Sequence, residues 1–239
     1  MHEEFHCWHS PALGKEMSIQ VLGHAGARLL VFPSSGGGCR EWIDRDMHRV
    51  LGESLEKGWL QMFCVESVNG ESWNAEHLHP SDRAQRHLAY DRYLRDEVLP
   101  LTEAKNGNPF LIAAGASMGG YHALCFGLRH PDRVRRILSL SGLADIKRLT
   151  GGYSDEHVYA CNPGDFMRHE HDPIRLGWFR GQDIILAIGE HDRMCDDNRE
   201  FSTALWNKEI GNALRIWDGW AHDWPYWQQM LERYIGGHD

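Results

Sequence analysis

The stretch Pro109-Phe110-Leu111-Ile112-Ala113-Ala114-Gly115-Ala116-Ser117-Met118-Gly119-Gly120 decides the fold. Its first six residues form a short apolar run of the kind that makes a fully buried strand. A helix of small and apolar residues is predicted next, from Gly120 through Leu128, closed by His130-Pro131-Asp132. Between them lies Gly-x-Ser-x-Gly. A serine on a tight strand-to-helix turn needs glycine on both sides, because neighbouring side chains would collide there. The turn lifts the hydroxyl into a cleft beside the positive end of a helix. Ser117 is therefore the candidate nucleophile, and the backbone N–H of Met118 a candidate oxyanion donor. In a chain with 25 glycines the pentapeptide alone is a modest signal, so the strand before it and the helix after it carry the weight.

Outward from this turn, apolar strand-like runs alternate with helical patterns, the signature of an α/β sheet. Two antiparallel entry strands are predicted at Phe5–His9 and Ser18–Leu22, then a buried strand at Arg28–Phe32. A helix should follow with Trp42, Met47, Val50, Leu51 and Leu55 on one face. Next come a strand at Leu60–Val65, a polar loop from Asn69 to Pro80, and a helix capped by Ser81 and running to about Leu99. After the turn, strands are expected at Val134–Leu140, Asp183–Ile188 and Ala213–Trp217, with helices at Asn198–Lys208 and Trp224–Tyr234. The stretch Asp145–Gly181, rich in Gly, Pro, His and Asp, reads as a cap-like excursion over the sheet edge. Residues 1–239 thus form one domain, a length that suits a single sizeable core.

A serine hydroxyl is a poor nucleophile until an oriented base takes its proton. In this kind of fold the acid and the base follow the serine, on loops after later strands. Strand Asp183–Ile188 ends in Gly189-Glu190-His191-Asp192, and strand Ala213–Trp217 ends in Asp218-Gly219-Trp220-Ala221-His222. Asp192 is assigned as the acid and His222 as the base; Glu190, Asp196 and Asp197 are rivals for the acid. Among 16 histidines, most are expected at the surface, with His130 ending a helix. His222 stands out because it follows the last strand and precedes the last helix, with Asp223 as that helix's N-cap.

The second oxyanion donor should come from Ser34-Ser35-Gly36-Gly37-Gly38, where glycine lets backbone N–H groups approach a ligand. Gly36 is the choice and Ser35 the reserve, also a candidate to contact substrate. A phosphate-cradling loop is disfavoured because no Gly-Lys-Ser or Gly-Lys-Thr follows. Trp220 and Trp224 flank the base and are candidates to line the substrate pocket, whereas Trp217 and Trp227 fit packing of the last helix on the sheet.

A formal net charge of −9 argues against nucleic acid or an anionic membrane as the main partner. No apolar run has the length of a membrane span. The first residues lack the basic and apolar regions of a secretory signal, which makes the cytoplasm the expected location. Six scattered cysteines without a Cys-x-x-Cys pair fit buried free thiols in a reducing compartment. Neither His169-Glu170-His171-Asp172 nor the group His2, His6 and His9 has metal-ligand spacing, so no metal site is assigned. Oligomeric state is open, a homo-oligomer included.

Four separated motifs, G-A-S-M-G-G-Y, H-P-D, G-E-H-D and G-W-A-H-D-W-P-Y-W, resemble the putative-esterase family of α/β hydrolases, the group of esterase D and the antigen 85 mycolyltransferases. The resemblance covers most of the chain. It implies the α/β-hydrolase fold: a mostly parallel central sheet with antiparallel N-terminal strands and helices on both faces. It further implies hydrolysis of a small-molecule carboxylic ester through an acyl-enzyme on Ser117, Asp192 and His222, with no metal or organic cofactor. The loop P-S-S-G-G-G departs from the L-D-G type of better-known members, so its donor transfers least directly. Transfer of the acyl group to an alcohol or thiol acceptor, thioester hydrolysis and a non-catalytic binding role are the alternatives.

Overall fold

A computed structural model describes residues 2–237. Eight strands form one sheet: β1 (Glu3–Ser10), β2 (Lys15–Leu22), β3 (Ala27–Phe32), β4 (Leu60–Val65), β5 (Leu111–Ala116), β6 (Arg136–Leu140), β7 (Asp183–Gly189) and β8 (Ala213–Trp217). Their order is β1-β2-β4-β3-β5-β6-β7-β8. β1 pairs antiparallel with β2, and β2 with β4; every other pairing is parallel. This is the α/β-hydrolase fold, with antiparallel entry strands and a parallel centre as expected.

Side-chain alternation along the strands builds two separate cores. Leu30 and Phe32 of β3, with Ala113 of β5, pack under Tyr90, Tyr93, Leu124, Phe126, Phe201 and Leu205 on one face. Leu29 and Val31, with Ala114, pack under Trp42, Met47, Leu55, Met230 and Leu231 on the other. β5 is buried along its whole length, which its uniformly apolar sequence requires and which holds the turn after it rigid.

Several local expectations are corrected. The expected helix after β3 is three short pieces, Glu41–Asp44, Met47–Val50 and Gly52–Glu56, interrupted by Asp46 at φ 58°. Its apolar residues still reach the core, except that Val50 is only half-buried. The cap of helix Pro80–Tyr93 is His79, whose side chain accepts from Ser81 N–H, so Ser81 is not the cap. Pro80 takes the first helical position, where a missing N–H costs nothing. The predicted run to Leu99 breaks into a single π turn, Leu94–Val98, and a further helix, Leu99–Lys105. Pro100 explains the widened turn: it has no N–H to donate back and its ring crowds the preceding turn.

The 145–181 excursion contains four short helices, Lys147–Thr150, Glu156–Ala160, Pro163–Phe166 and Pro173–Arg180. It is tied to helices Pro80–Tyr93 and Met118–Arg129 by Arg83 to the Leu149 carbonyl, Tyr121 to Cys161 and Arg129 to Ala160. Among the described residues no helix is long and apolar enough to cross a membrane.

Candidate active site

Ser117 sits between the end of β5 and helix Met118–Arg129 at φ 55° and ψ −119°. A non-glycine residue there is strained by about 1–3 kcal/mol, so the surroundings must hold it. They do so at three points. The Ser117 N–H donates to the Leu140 carbonyl of β6 at 2.8 Å. A side chain on Gly115 would overlap the Gly119 backbone, and one on Gly119 would overlap the carbonyls of Phe32 and Pro33. The motif's glycines thus let β5, the helix and the loop after β3 close on one another.

The structure brings the three separated residues of the sequence reading together. His222 Nε2 lies 3.1 Å from Ser117 Oγ, and His222 Nδ1 lies 2.6 Å from Asp192 Oδ2. Asp192 is buried, and its other oxygen accepts the Met194 N–H at 3.0 Å. A carboxylate so held fixes the imidazole orientation and favours the proton on Nδ1, leaving Nε2 to accept from the serine. The loops carrying Asp192 and His222 are zipped together: Glu190 N–H donates to Trp217 O and His191 N–H to Gly219 O. Gly189 must lack a side chain because the Trp220 backbone lies against it.

Two of the three rival carboxylates are engaged elsewhere and the third is exposed. Glu190 accepts from the Gly219 N–H, Asp196 is exposed, and Asp197 accepts the N–H groups of Ala144 and Asp145. Burial pushes the Asp197 carboxyl above its ordinary range, only partly offset by those two donors.

Trp220 is 53% exposed and stacks on the His222 ring at 5.4 Å. Trp227 meets the same ring edge-on at 5.2 Å and donates Nε1–H to Ser141 Oγ. Ser141, at φ 50°, donates in turn to the carbonyl of Ala221, the residue before His222 and itself at φ 42°. Ser141 and Trp227 thereby hold the backbone that aims His222. Trp224 packs edge-on against Trp227 at 4.9 Å and lies under the Arg45 guanidinium at 5.3 Å.

The loop after β3 is a β-turn from Ser34 to Gly37, closed by Gly37 N–H to Ser34 O at 3.1 Å. Glu41 takes the Ser34 N–H at 2.7 Å as well as the Ser34 hydroxyl. Among the described residues nothing engages the N–H groups of Ser35 and Gly36, the turn's two central residues. Asn74 bonds Ser35 twice, Nδ2 to its carbonyl at 2.8 Å and Oδ1 to its hydroxyl at 3.1 Å. A cleft lined by Gly36, Gly37, Gly38, Arg40, Arg45 and Glu66 opens beside this turn.

Two histidines depart from the expected surface position. His87, on helix Pro80–Tyr93, and His122, on helix Met118–Arg129, are buried and stacked at 5.1 Å, and desolvation holds His87 at about 4 and His122 well below its usual range. His122 Nε2 bonds Asn69 Oδ1 at 2.7 Å, and Asn69 in turn anchors the backbone of Asn74. His130 ends its helix as expected and bonds Asp91. In the 169–172 group, Glu170 pairs with Arg175 and Asp172 caps helix Pro173–Arg180. No group of three or more His, Cys, Asp or Glu among the described residues could hold a metal ion.

The model of the family described as Putative esterase matches residues 64–236, which include Ser117, Asp192 and His222. The chain belongs to this putative-esterase family. The acetyl esterase of Caldicellulosiruptor saccharolyticus is 24% identical over 172 residues, 63% of this chain and 64% of that enzyme. The matched part is thus under two thirds of that relative's length. Among solved structures, a ferulic acid esterase superposes with a TM-score of 0.75 at 21% identity, covering 97% of this chain and 95% of its own. Fluorophosphonate-binding serine hydrolase F of Staphylococcus aureus superposes with a TM-score of 0.70 at 19% identity, covering 98% and 97%. At such identities these two structures bear on the fold of this esterase-family chain and not on its substrate.

Proposed function

We propose that the protein hydrolyses small carboxylic esters through an acyl-enzyme on Ser117. The observation that carries this reading is the continuous line Ser117 Oγ, His222 Nε2, His222 Nδ1, Asp192 Oδ2, with spacings of 3.1 and 2.6 Å. Ser117 Oγ attacks the ester carbonyl while its proton passes to His222 Nε2. The carbonyl π pair moves onto oxygen, where the N–H groups of Met118 and Gly36 receive it. Collapse breaks the bond to the alcohol, which leaves with the proton from His222. Water, deprotonated by the same nitrogen, then releases the acid and restores the serine.

Asp192 orients the imidazole and stabilises its charged form. Trp220, exposed and stacked on the His222 ring, is assigned to contact the substrate, together with Trp224 and Ser35. The named activity of the acetyl esterase relative makes acetate esters the first substrates to try. Six free cysteines, five of them buried, support a reducing compartment such as the cytoplasm. Labelling with a fluorophosphonate and turnover of p-nitrophenyl acetate test the reading together. Ser117→Ala is expected to abolish both, and full turnover by that variant would refute the assignment.

A further inference from the structure

We propose that Asn74 is a positioning residue for oxyanion stabilisation, acting through the turn Ser34–Gly37; the proposal rests on the ester-hydrolase reading above. The turn leaves two donors free. Ser34 N–H is held by Glu41 and Gly37 N–H by the turn's own closing bond, while the N–H groups of Ser35 and Gly36 have no partner among the described residues.

A trans peptide is planar, and its C=O and N–H point in opposite directions. The Ser35 carbonyl and the Gly36 N–H belong to one peptide unit. Asn74 Nδ2, at 2.8 Å from that carbonyl, therefore sets the direction of the Gly36 N–H. The second bond, from Ser35 Oγ to Asn74 Oδ1 at 3.1 Å, holds the unit at another point. Without them an exposed peptide ending in glycine is free to rotate, since nothing lies within 4 Å of where a Gly36 side chain would stand.

Asn74 is itself referenced to the nucleophile. Its N–H donates to Asn69 O at 2.9 Å, and buried Asn69 bonds His122 Nε2 at 2.7 Å. His122 lies on the helix that begins immediately after Ser117. One chain of hydrogen bonds thus runs from the helix that carries the first donor, Met118 N–H, to the peptide that carries the second. As Ser117 Oγ bonds to carbon, the electron pair arriving on the carbonyl oxygen meets a Gly36 N–H already oriented. That preorganisation acts on the charged oxygen rather than on the resting ester. Asn74 itself is exposed, so the amide can be removed without opening a cavity.

The test is steady-state turnover of p-nitrophenyl acetate by the full chain, with binding of a short-chain trifluoromethyl ketone, which forms the tetrahedral oxyanion. Asn74→Ala is expected to lower kcat about 10-fold, less than the roughly 10²–10³ of deleting an oxyanion donor outright. KM should stay within about twofold, ketone affinity should fall in step with kcat, and Tm should hold. Asn74→Asp can still accept from the Ser35 hydroxyl but cannot donate to its carbonyl, so it should match Asn74→Ala. Wild-type kcat in Asn74→Ala, rescue by Asn74→Asp, or a loss confined to KM would overturn the proposal. An inert wild-type chain would instead sink the ester-hydrolase reading and this proposal with it.

Discussion

The serine turn and the Ser34–Gly37 turn sit against each other yet are built by opposite means. Ser117 is fixed by main chain: a fully buried strand, a helix, and glycines whose missing side chains let three backbones touch. The Ser34–Gly37 turn is fixed by side chains sent from a helix and from another loop, Glu41 and Asn74 above all. Backbone closure is all-or-none, because a single Cβ at Gly119 would strike two carbonyls. Side-chain anchoring is graded, because each amide or carboxylate can be trimmed separately. Nucleophile placement should therefore fail abruptly under mutation and oxyanion placement by degrees.

The largest effect should come from Asp192→Asn, which preserves shape but removes the charge that holds the imidazole. Turnover of p-nitrophenyl acetate is expected to drop about 10⁴-fold with the fold intact by circular dichroism. Gly119→Ala should follow, at about 10²-fold or more, since the serine turn must shift to relieve the overlap. A near-normal rate in that variant would break the contrast between the two regions. Glu41→Gln keeps an acceptor for Ser34 and loses only the charge; a drop of a few-fold is expected, consistent with graded anchoring.

The smallest effect concerns stability. His87 and His122 are buried neutral, with folded pKa values depressed by desolvation, His87 to about 4. Between about pH 6.5 and 4 the unfolded chain binds protons that the folded chain refuses, so stability falls as pH falls. Melting curves should show Tm declining across that window, and His87→Gln should flatten part of the decline. A Tm flat from pH 7 to 4.5 would mean that these imidazoles are protonated in the folded state.

The same contrast explains what the sequence made legible. Ser117, Asp192 and His222 were readable because each is announced by main-chain context: a strand end, a glycine, a following helix. The central strands were legible for a related reason, their apolar runs being forced by burial on both faces. Asn74 and Ser141 carry no such signal, because their roles depend on partners 39 and 80 residues away in the chain. His87 and His122 looked like surface polar residues, and only tertiary packing against Asn69 and Tyr121 makes them core. The broken helix at 41–56 escaped because a left-handed residue such as Asp46 is selected by tertiary fit, and its apolar spacing still imitates one helix. For the turn at Ser34–Gly37 the composition announced a glycine loop, but its register came from Glu41, seven residues on.

The order β5, β7, β8 along the chain has a consequence for biosynthesis. The bond between Ser117 and His222 spans 105 residues, and His222 lies between strand β8 and helix Trp224–Tyr234. A ribosome completes the serine turn long before it has made the histidine proposed to deprotonate it. Contacts of such separation close late in folding, because the loop entropy comes before the reward. On the proposed mechanism, a nascent or half-folded chain holds an unactivated serine, and competence for chemistry arrives together with the docking of the last sheet edge.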